Sequence, residues 1–287
     1  MRTAIVTASY HADFERFRLL CETLDTHVTE YTKHYVLVED RDVPLFRQLQ
    51  SPRRVIIGEK DLLPSWLKVF PDPLTMGRRR IWLSLKTKPL RGWHVQQFRR
   101  IAIADIVEDD AFLYLDSDVA FLRPYDCSQL WRDDALRLLV RPGALTGDSM
   151  GEHRRWSANA GTLLGLPETQ HSTNDYVGTM IAWKRSSIRE MCARIESVTG
   201  EHWIAAMGKQ RCFSECMMYG RFVDDVEHGA GHFHDQTELC KVFWLAPPPT
   251  EDEFRAFVAD MAPEQVALGM QSFLGLDPAE IRRILGL

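Results

Sequence analysis

The 287-residue sequence lacks several features that would place it at once. No apolar run approaches the ~20 residues of a bilayer span, so no membrane-crossing helix is expected. The short apolar stretch at residues 4–8 soon gives way to polar residues, unlike the longer core of a secretory leader. A cytoplasmic location is expected, with at most peripheral contact with a membrane. The six cysteines, Cys21, Cys127, Cys192, Cys212, Cys216 and Cys240, include no CxxC pair. That is the usage of reduced thiols, not of a disulfide scaffold. Cys212 and Cys216, four apart, would share a helix face, where burial as small hydrophobes outweighs a metal pair. Internal repeats and low-complexity tracts are missing. An excess of positive charge is missing too: 35 Lys and Arg against 40 Asp and Glu leave −5. A generic nucleic-acid binder would be basic, so no nucleic-acid partner is expected. What remains is 45% hydrophobic and 26% charged, an ordinary globular composition. A chain of this length buries about three quarters of its unfolded surface.

Apolar periodicity divides the first half into alternating segments. Residues 3–9 (TAIVTAS) form a β-rich run. Phe14, Phe17, Leu20, Cys21 and Leu24 recur at helical spacing. Residues 34–38 (HYVLV) make a second strand, 44–49 a helical turn and 55–57 a third strand. Val95, Phe98, Ala102 and Ile106 mark one face of a helix over 95–107. Residues 111–115 (AFLYL), apolar throughout, form a fourth strand buried on both sides. This β-α-β-α-β rhythm predicts an α/β fold with a mostly parallel sheet flanked by helices. In the second half, 162–166 and 179–183 are expected as strands, 186–198 and 215–222 as helices. Ala246-Pro247-Pro248-Pro249 then breaks the chain. Three short helices are expected beyond it, at 251–261, 263–274 and 278–285. The last opens with Asp277 as N-cap, Pro278 at the first position and Glu280 behind it. This extension carries seven acids against three bases from Glu251 onward and would cap the domain or join two copies into a homodimer.

The buried fourth strand ends in Asp116-Ser117-Asp118. In open α/β sheets the ligand site lies at the carboxyl ends of the strands. Residues i and i+2 of an extended chain point to one side, and two converging carboxylates repel unless a cation or proton lies between them. Hard oxygen ligands suit Mg²⁺ or Mn²⁺, which in turn hold a diphosphate. A polar loop leaving a strand is the plainer alternative. The segment 73–104 has no acid and eight bases, Arg78, Arg79, Arg80, Lys86, Lys88, Arg91, Arg99 and Arg100. Lys86, Lys88 and Arg91 lie in a loop suited to an anion-binding wall, whereas Arg99 and Arg100 read as a solvated helix face.

With LYLDSDVAFLRP and the strand–helix order before it, the chain resembles the metal-dependent nucleotide-sugar glycosyltransferases of the GT-A fold. GWHVQQFRRIAIADIVEDDAFLYLDSDVAFLRP, TASYHADFERFRLLCETLD and VEDRDVPLF are similar to a bacterial glycosyltransferase-like family of unassigned substrate. The likeness spans roughly residues 1–245. It implies a Rossmann-type GT-A domain over 1–245, with a nucleotide-binding half (1–124) and an acceptor-binding half (125–245), and a C-terminal helical extension (246–287). It implies a hexosyltransferase-type enzyme. The donor would be a UDP- or GDP-linked sugar, the cofactor Mn²⁺ or Mg²⁺. The acceptor would be a hydroxyl of a bacterial polysaccharide, a glycolipid or a small-molecule glycoside. By position, Asp116 would touch the ribose and the metal, and Asp118 would ligate the metal. Thr7, Ser9 and Tyr10 would line the nucleotide pocket, and Asp40 or Asp42 would accept a hydrogen bond from the base. Lys86, Lys88, Arg91 and Gln97 join this donor-binding set.

In the second half, Asn159 in WSANAGT resembles the small-residue strand entry that lets donor sugar and backbone approach, and could bond a sugar hydroxyl. A simple turn is the other reading. Glu215, after the N-cap Ser214, resembles the catalytic carboxylate of inverting members, able to take the acceptor proton. Asp175 is its rival, and a helix-start role fits Glu215 as well. His232 and His234 share a face of an extended segment and resemble the late histidine that returns to the metal. A surface cluster is the alternative. The ending His-Gly-x-Lys-Pro-Trp of glycogenin-like members is missing, which favours single displacement with inversion. Of Trp66, Trp93, Trp156 and Trp203, one or two would stack on sugar. Two competing readings are a haloacid-dehalogenase-like phosphohydrolase, with Asp224-Asp225 as its late acidic pair, and a non-catalytic nucleotide-sugar-binding protein.

Overall fold

The computed structural model describes residues 1–244, 247–271 and 274–286. Its centre is a five-stranded sheet. The strands are β1 (Thr3–Ala8), β2 (His34–Val38), β3 (Arg54–Gly58), β4 (Ala111–Leu115) and β5 (Met180–Lys184). Their order is β5-β4-β1-β2-β3. All pairings are parallel except β5 with β4, which is antiparallel at the edge. The α/β architecture with a mostly parallel sheet is therefore as the apolar rhythm predicts. Every residue of β4 is buried, as a strand covered on both faces must be.

Two helices fix the sheet's faces. Helix α1 (Phe14–His27) buries Phe14, Phe17, Leu20, Cys21 and Leu24, the stripe its spacing foretold. Helix α2 (Gly92–Ile106) buries Val95, Phe98 and Ala102 of the expected face but leaves Ile106 exposed, and it also buries Gln97, Arg99 and Arg100. The expectation of a solvated basic face for those two arginines is thereby overturned. Both cations are 3–8% exposed and ion-paired, as buried charges must be.

The second half departs further from its periodicity. The residues expected as a small-residue turn and a strand, 156–166, are helix α3 (Gly151–Leu163) and the turn after it. Ala158 and Ala160 favour helix. The glycine that suggested a strand entry, Gly161, instead admits another chain segment. A Cβ there would lie 2.5 Å from Nη1 of the buried Arg221. Helix α4 (Glu215–Arg221) is capped by the Ser214 hydroxyl, which accepts from the Met217 N–H. Cys212 precedes that cap, so it does not share a helix face with Cys216. All six cysteines are free.

Beyond the proline run, helices at Glu251–Ala259 and Pro278–Leu285 are as expected. The middle one is not. Ala267–Met270 is a fully buried strand, antiparallel to Val119–Phe121 and parallel to Cys240–Phe243. A short apolar run cannot be assigned by periodicity alone. The rest of the expected helix, at 272–273, and the expected domain boundary at 245/246 lie outside the described residues. The new strand reaches the acidic pair, because the Met270 N–H donates to the Asp118 carbonyl at 3.0 Å.

Tight packing around α4 generates a stability prediction. A Cβ on Gly220 would fall 2.1 Å from the Tyr176 ring. Gly220→Ala should therefore destabilise the protein by about 2 kcal/mol or more despite alanine's higher helix propensity. A denaturant midpoint at or above that of the parent would contradict the packing described here.

Candidate functional site

Leu115, the last residue of β4, hands the chain to a turn in which the Val119 N–H donates back to the Asp116 carbonyl at 3.3 Å. The Asp116-Ser117-Asp118 segment is thus a turn and not the extended run its spacing suggested. Both carboxylates nevertheless line one cavity of about 830 Å³. That size is ample for a bound nucleotide sugar. Tyr10, Gln97, Glu215 and Asp175, also singled out from the sequence, line it as well.

Charge in this cavity is organised by Arg100. Its Nη1 lies 2.9 Å from Glu215 Oε1 and 3.7 Å from Asp116 Oδ1. Its guanidinium carbon sits 5.0 Å from the Tyr114 ring centroid and 5.6 Å from that of Trp183, positions that favour a cation. Burial raises the Asp116 carboxyl to about 6 against the lowering effect of Arg100, and Glu215 and Asp13 push it the same way as burial. Gln97 sets the base of α4, its Oε1 accepting the Glu215 N–H at 2.9 Å. Asp13 adds a further buried carboxylate, to which the Ser117 hydroxyl donates at 3.3 Å. Burial raises its pKa as well. Sequence reasoning passed over Asp13, although it sits in the motif-like opening segment after β1.

Part of the lining is aromatic. The rings of Trp93 and Trp156 lie 5.7 Å apart and tilted by 35°, and His153 stacks on Trp156 at 4.5 Å. His153 Nδ1 stands 3.3 Å from Asp175 Oδ1, and Arg141 Nη1 lies 3.4 Å from Asp175 Oδ2. His153 and Arg141 were also missed. A lone histidine in a polar helix carries no local signal of the partner it will meet.

Other expected site residues are engaged elsewhere. Arg54 donates to His34 Nδ1, so His34 donates through Nε2 to the Thr7 hydroxyl at 3.0 Å. Thr7 thus belongs to the sheet interior. Ser9 is buried beside β2, its N–H bonded to Leu37. Asp42 accepts from the His11 N–H, and Asp40 lies 3.9 Å from Lys60. Lys86 sits over the Trp66 ring, Lys88 is bonded through its N–H to Gly208, and Arg91 pairs with Asp72 at 2.8 Å. None of these three lines the cavity, and the cation on its wall from the acid-free block is Arg100. Arg99 pairs instead with Glu59 at 3.2 Å, behind β3. Asn159, on α3, donates to the Cys212 carbonyl.

The late histidines do not return to the acidic pair. The Tyr219 hydroxyl accepts from the Lys184 N–H, so it donates to His232 Nε2 at 2.8 Å. His232 Nδ1 in turn donates to the Ala230 carbonyl. Both ring nitrogens are used, and burial pushes the ring toward its neutral form. His234 pairs with Asp224 at 2.7 Å. Asp224 also accepts from Tyr176, and Asp225 from Arg221. That removes the late acidic pair the phosphohydrolase reading required, since neither carboxylate lines the cavity with Asp116. Among the described residues no group of three His, Cys, Asp or Glu is placed to cage a metal.

The raised Asp116 pKa has a stability consequence. A carboxyl whose folded pKa is about 6 instead of 3.8 stabilises the fold fully only below the unfolded value, and this is lost as pH rises through about 6. Without added cation, Asp116→Asn should therefore raise Tm at pH 8 by about 2–4 °C, the shift of a ~1 kcal/mol gain in a chain of this size. The difference should vanish near pH 4. A lower Tm at pH 8 would show that Arg100 outweighs desolvation.

Among solved structures, the galactosyltransferase LgtC in complex with donor and acceptor sugar analogs is similar at 11% identity. It covers 99% of this chain and 95% of that one, with a TM-score of 0.48. An active-site mutant of LgtC gives 13% identity with the same coverage and score. No curated protein matches the chain in sequence. Residues 3–264 match the model of DUF6492, a family of unknown function, and the chain belongs to that family.

Proposed function

We propose that this protein is a GT-A-type glycosyltransferase that moves a sugar from a UDP- or GDP-linked donor to a hydroxyl acceptor. One observation carries the reading. Two carboxylates at the carboxyl end of a central parallel strand face the same cavity as an aromatic pair and four further acidic residues, Asp13, Asp175, Glu215 and Glu238.

Asp116 and Asp118 fit a divalent cation such as Mn²⁺ or Mg²⁺. The pair would supply carboxylate ligands to such an ion, with substrate phosphates supplying others, and the ion would favour the ionised Asp116 that burial opposes. When bound, such an ion offsets charge on the leaving diphosphate. Arg100 holds Asp116 and Glu215 at fixed separation and contributes positive potential on the same side. Tyr10, 42% exposed at the end of β1, offers an aromatic face to the nucleotide base.

The acceptor sugar stacks on Trp93 and Trp156. Its hydroxyl oxygen attacks the anomeric carbon, the bond from that carbon to the diphosphate oxygen breaks with its electron pair, and the acceptor proton passes to a base. Single displacement inverts the anomeric centre. Of the two carboxylates expected for this role, Glu215 faces the donor side through its pairing with Arg100. Asp175 Oδ1 stands 3.3 Å from Nδ1 of His153, the side-chain type that most often serves as general base. The base is therefore assigned to His153 with Asp175.

A thermal-shift panel of nucleotide sugars tests the donor site. UDP- or GDP-linked donors should stabilise the protein only with Mn²⁺ or Mg²⁺, and Asp118→Ala should erase that shift. An unchanged shift in the mutant rules out the metal assignment. Metal-dependent binding with neither transfer nor donor hydrolysis identifies a binding protein instead. In a transfer assay, His153→Ala should lower kcat about 10²-fold or more with little change in donor shift. A comparable loss confined to Glu215→Gln returns the role to Glu215.

A further inference from the structure

The acid-free block has a second use that the cavity does not absorb. Lys68–Pro71, Arg80–Leu83 and Leu90–Arg91 form a small antiparallel sheet. Its register puts Val69, Trp82 and Leu90 opposite one another, and Phe70, Ile81 and Arg91 likewise, with Lys68 facing Leu83. Directly paired residues share a face and alternate ones change face. Trp82 and Leu90 are 1% exposed, so that face packs inward. The outer face then carries Phe70, Ile81 and Leu83 between Lys68 and Arg91.

This outer face is both apolar and cationic. Of the eleven large apolar side chains that stand exposed among the described residues, five lie within residues 70–85: Phe70, Leu74, Met76, Leu83 and Leu85. Leu74, Met76 and Leu85 are more than four-fifths exposed, so they project from the hairpin tip and its flanking loop. Lys68, Arg78, Arg79, Lys86 and Lys88 are exposed around them. The one acid between residues 62 and 104 is Asp72. It is fully buried and holds Arg91 and the Leu74 N–H, so its charge never reaches this surface. A local patch with no exposed acid thus sits on a chain of net charge −5.

We propose that this hairpin surface docks on an anionic lipid bilayer. Interleaved basic and apolar side chains are the signature of interfacial binding, in which apolar tips enter the headgroup boundary while Lys and Arg meet lipid phosphates. The projecting side chains suit insertion better than the flat, close-packed face that a protein interface requires. Charge complementarity selects the anionic surface. The outer-face residue Arg91 leads directly into α2, whose Trp93 lines the cavity. Docking therefore brings the aromatic end of the cavity to the lipid and points to a lipid-borne acceptor. Only this last consequence rests on the transferase reading.

Sedimentation of the intact protein with vesicles tests the docking itself. Binding should be seen with mixed phosphatidylglycerol and phosphatidylcholine, and should be far weaker with phosphatidylcholine alone. Lys68→Gln with Arg78→Gln should weaken it about fivefold per residue. Leu74→Ser with Met76→Ser should weaken it about tenfold or more. All four positions are outside the cavity, so Tm and the metal-dependent nucleotide-sugar shift should stay unchanged in both variants. Failure of that shift in the parent would count against the transferase reading and leave docking standing. Equal binding to both vesicle types, no binding to either, or full binding by both variants overturns the proposal. So does light scattering that shows a dimer broken by Leu74→Ser with Met76→Ser, because the face would then cover a second copy.

Discussion

A guanidinium group taken out of water must be surrounded by negative charge or π-electrons, and Arg100 is surrounded by both. It reaches Glu215 at the start of α4 and Asp116 at the end of β4, and it lies against Tyr114 and Trp183 from adjacent strands. Three elements distant in sequence are thereby held in one charge pattern. The Tyr114 hydroxyl closes the arrangement by donating to the Arg100 carbonyl at 2.7 Å. Because the group is buried, losing both carboxylates would leave an uncompensated charge, which costs far more than a pair contributes. The acidic turn, the capped helix and the long helix are therefore positioned together.

Around Arg100 the cavity lining is mixed. Glu215 and Asp13 both oppose ionisation of Asp116, and Arg100 and Arg16 offset these charges in part. Trp93 and Trp156 share the lining with Asp175, which stands beside Arg141 and His153. The C-terminal strand Ala267–Met270 completes it by bonding the Asp118 backbone, which makes the late segment a wall of the site.

Much of this was legible in the chain, for reasons that can be named. The first four strands and α1 follow from local periodicity, because a sheet between two helical layers forces its strands to be apolar throughout. The acidic tripeptide was legible because strand ends in parallel sheets carry chemistry. By contrast, α3 was misread because Asn159-Ala160-Gly161 is compatible with either a turn or a helix. Gly161 is explained only by Arg221, sixty residues later. His232 and His234 looked like ligands because alternation puts them on one face, yet Tyr219 and Asp224 occupy that face.

The sequence by itself determined the sheet, its order of elements and the place where two carboxylates leave it, since these depend on short-range spacing and on one-dimensional charge. It also contained the acid-free block. What the block does was decided by tertiary structure. Burial on α2 turned Arg99 and Arg100 inward, while the hairpin kept Arg78, Arg79, Lys86 and Lys88 outside. Whether a cation is solvated or paired depends on partners brought from elsewhere in the chain, and no local pattern encodes their arrival.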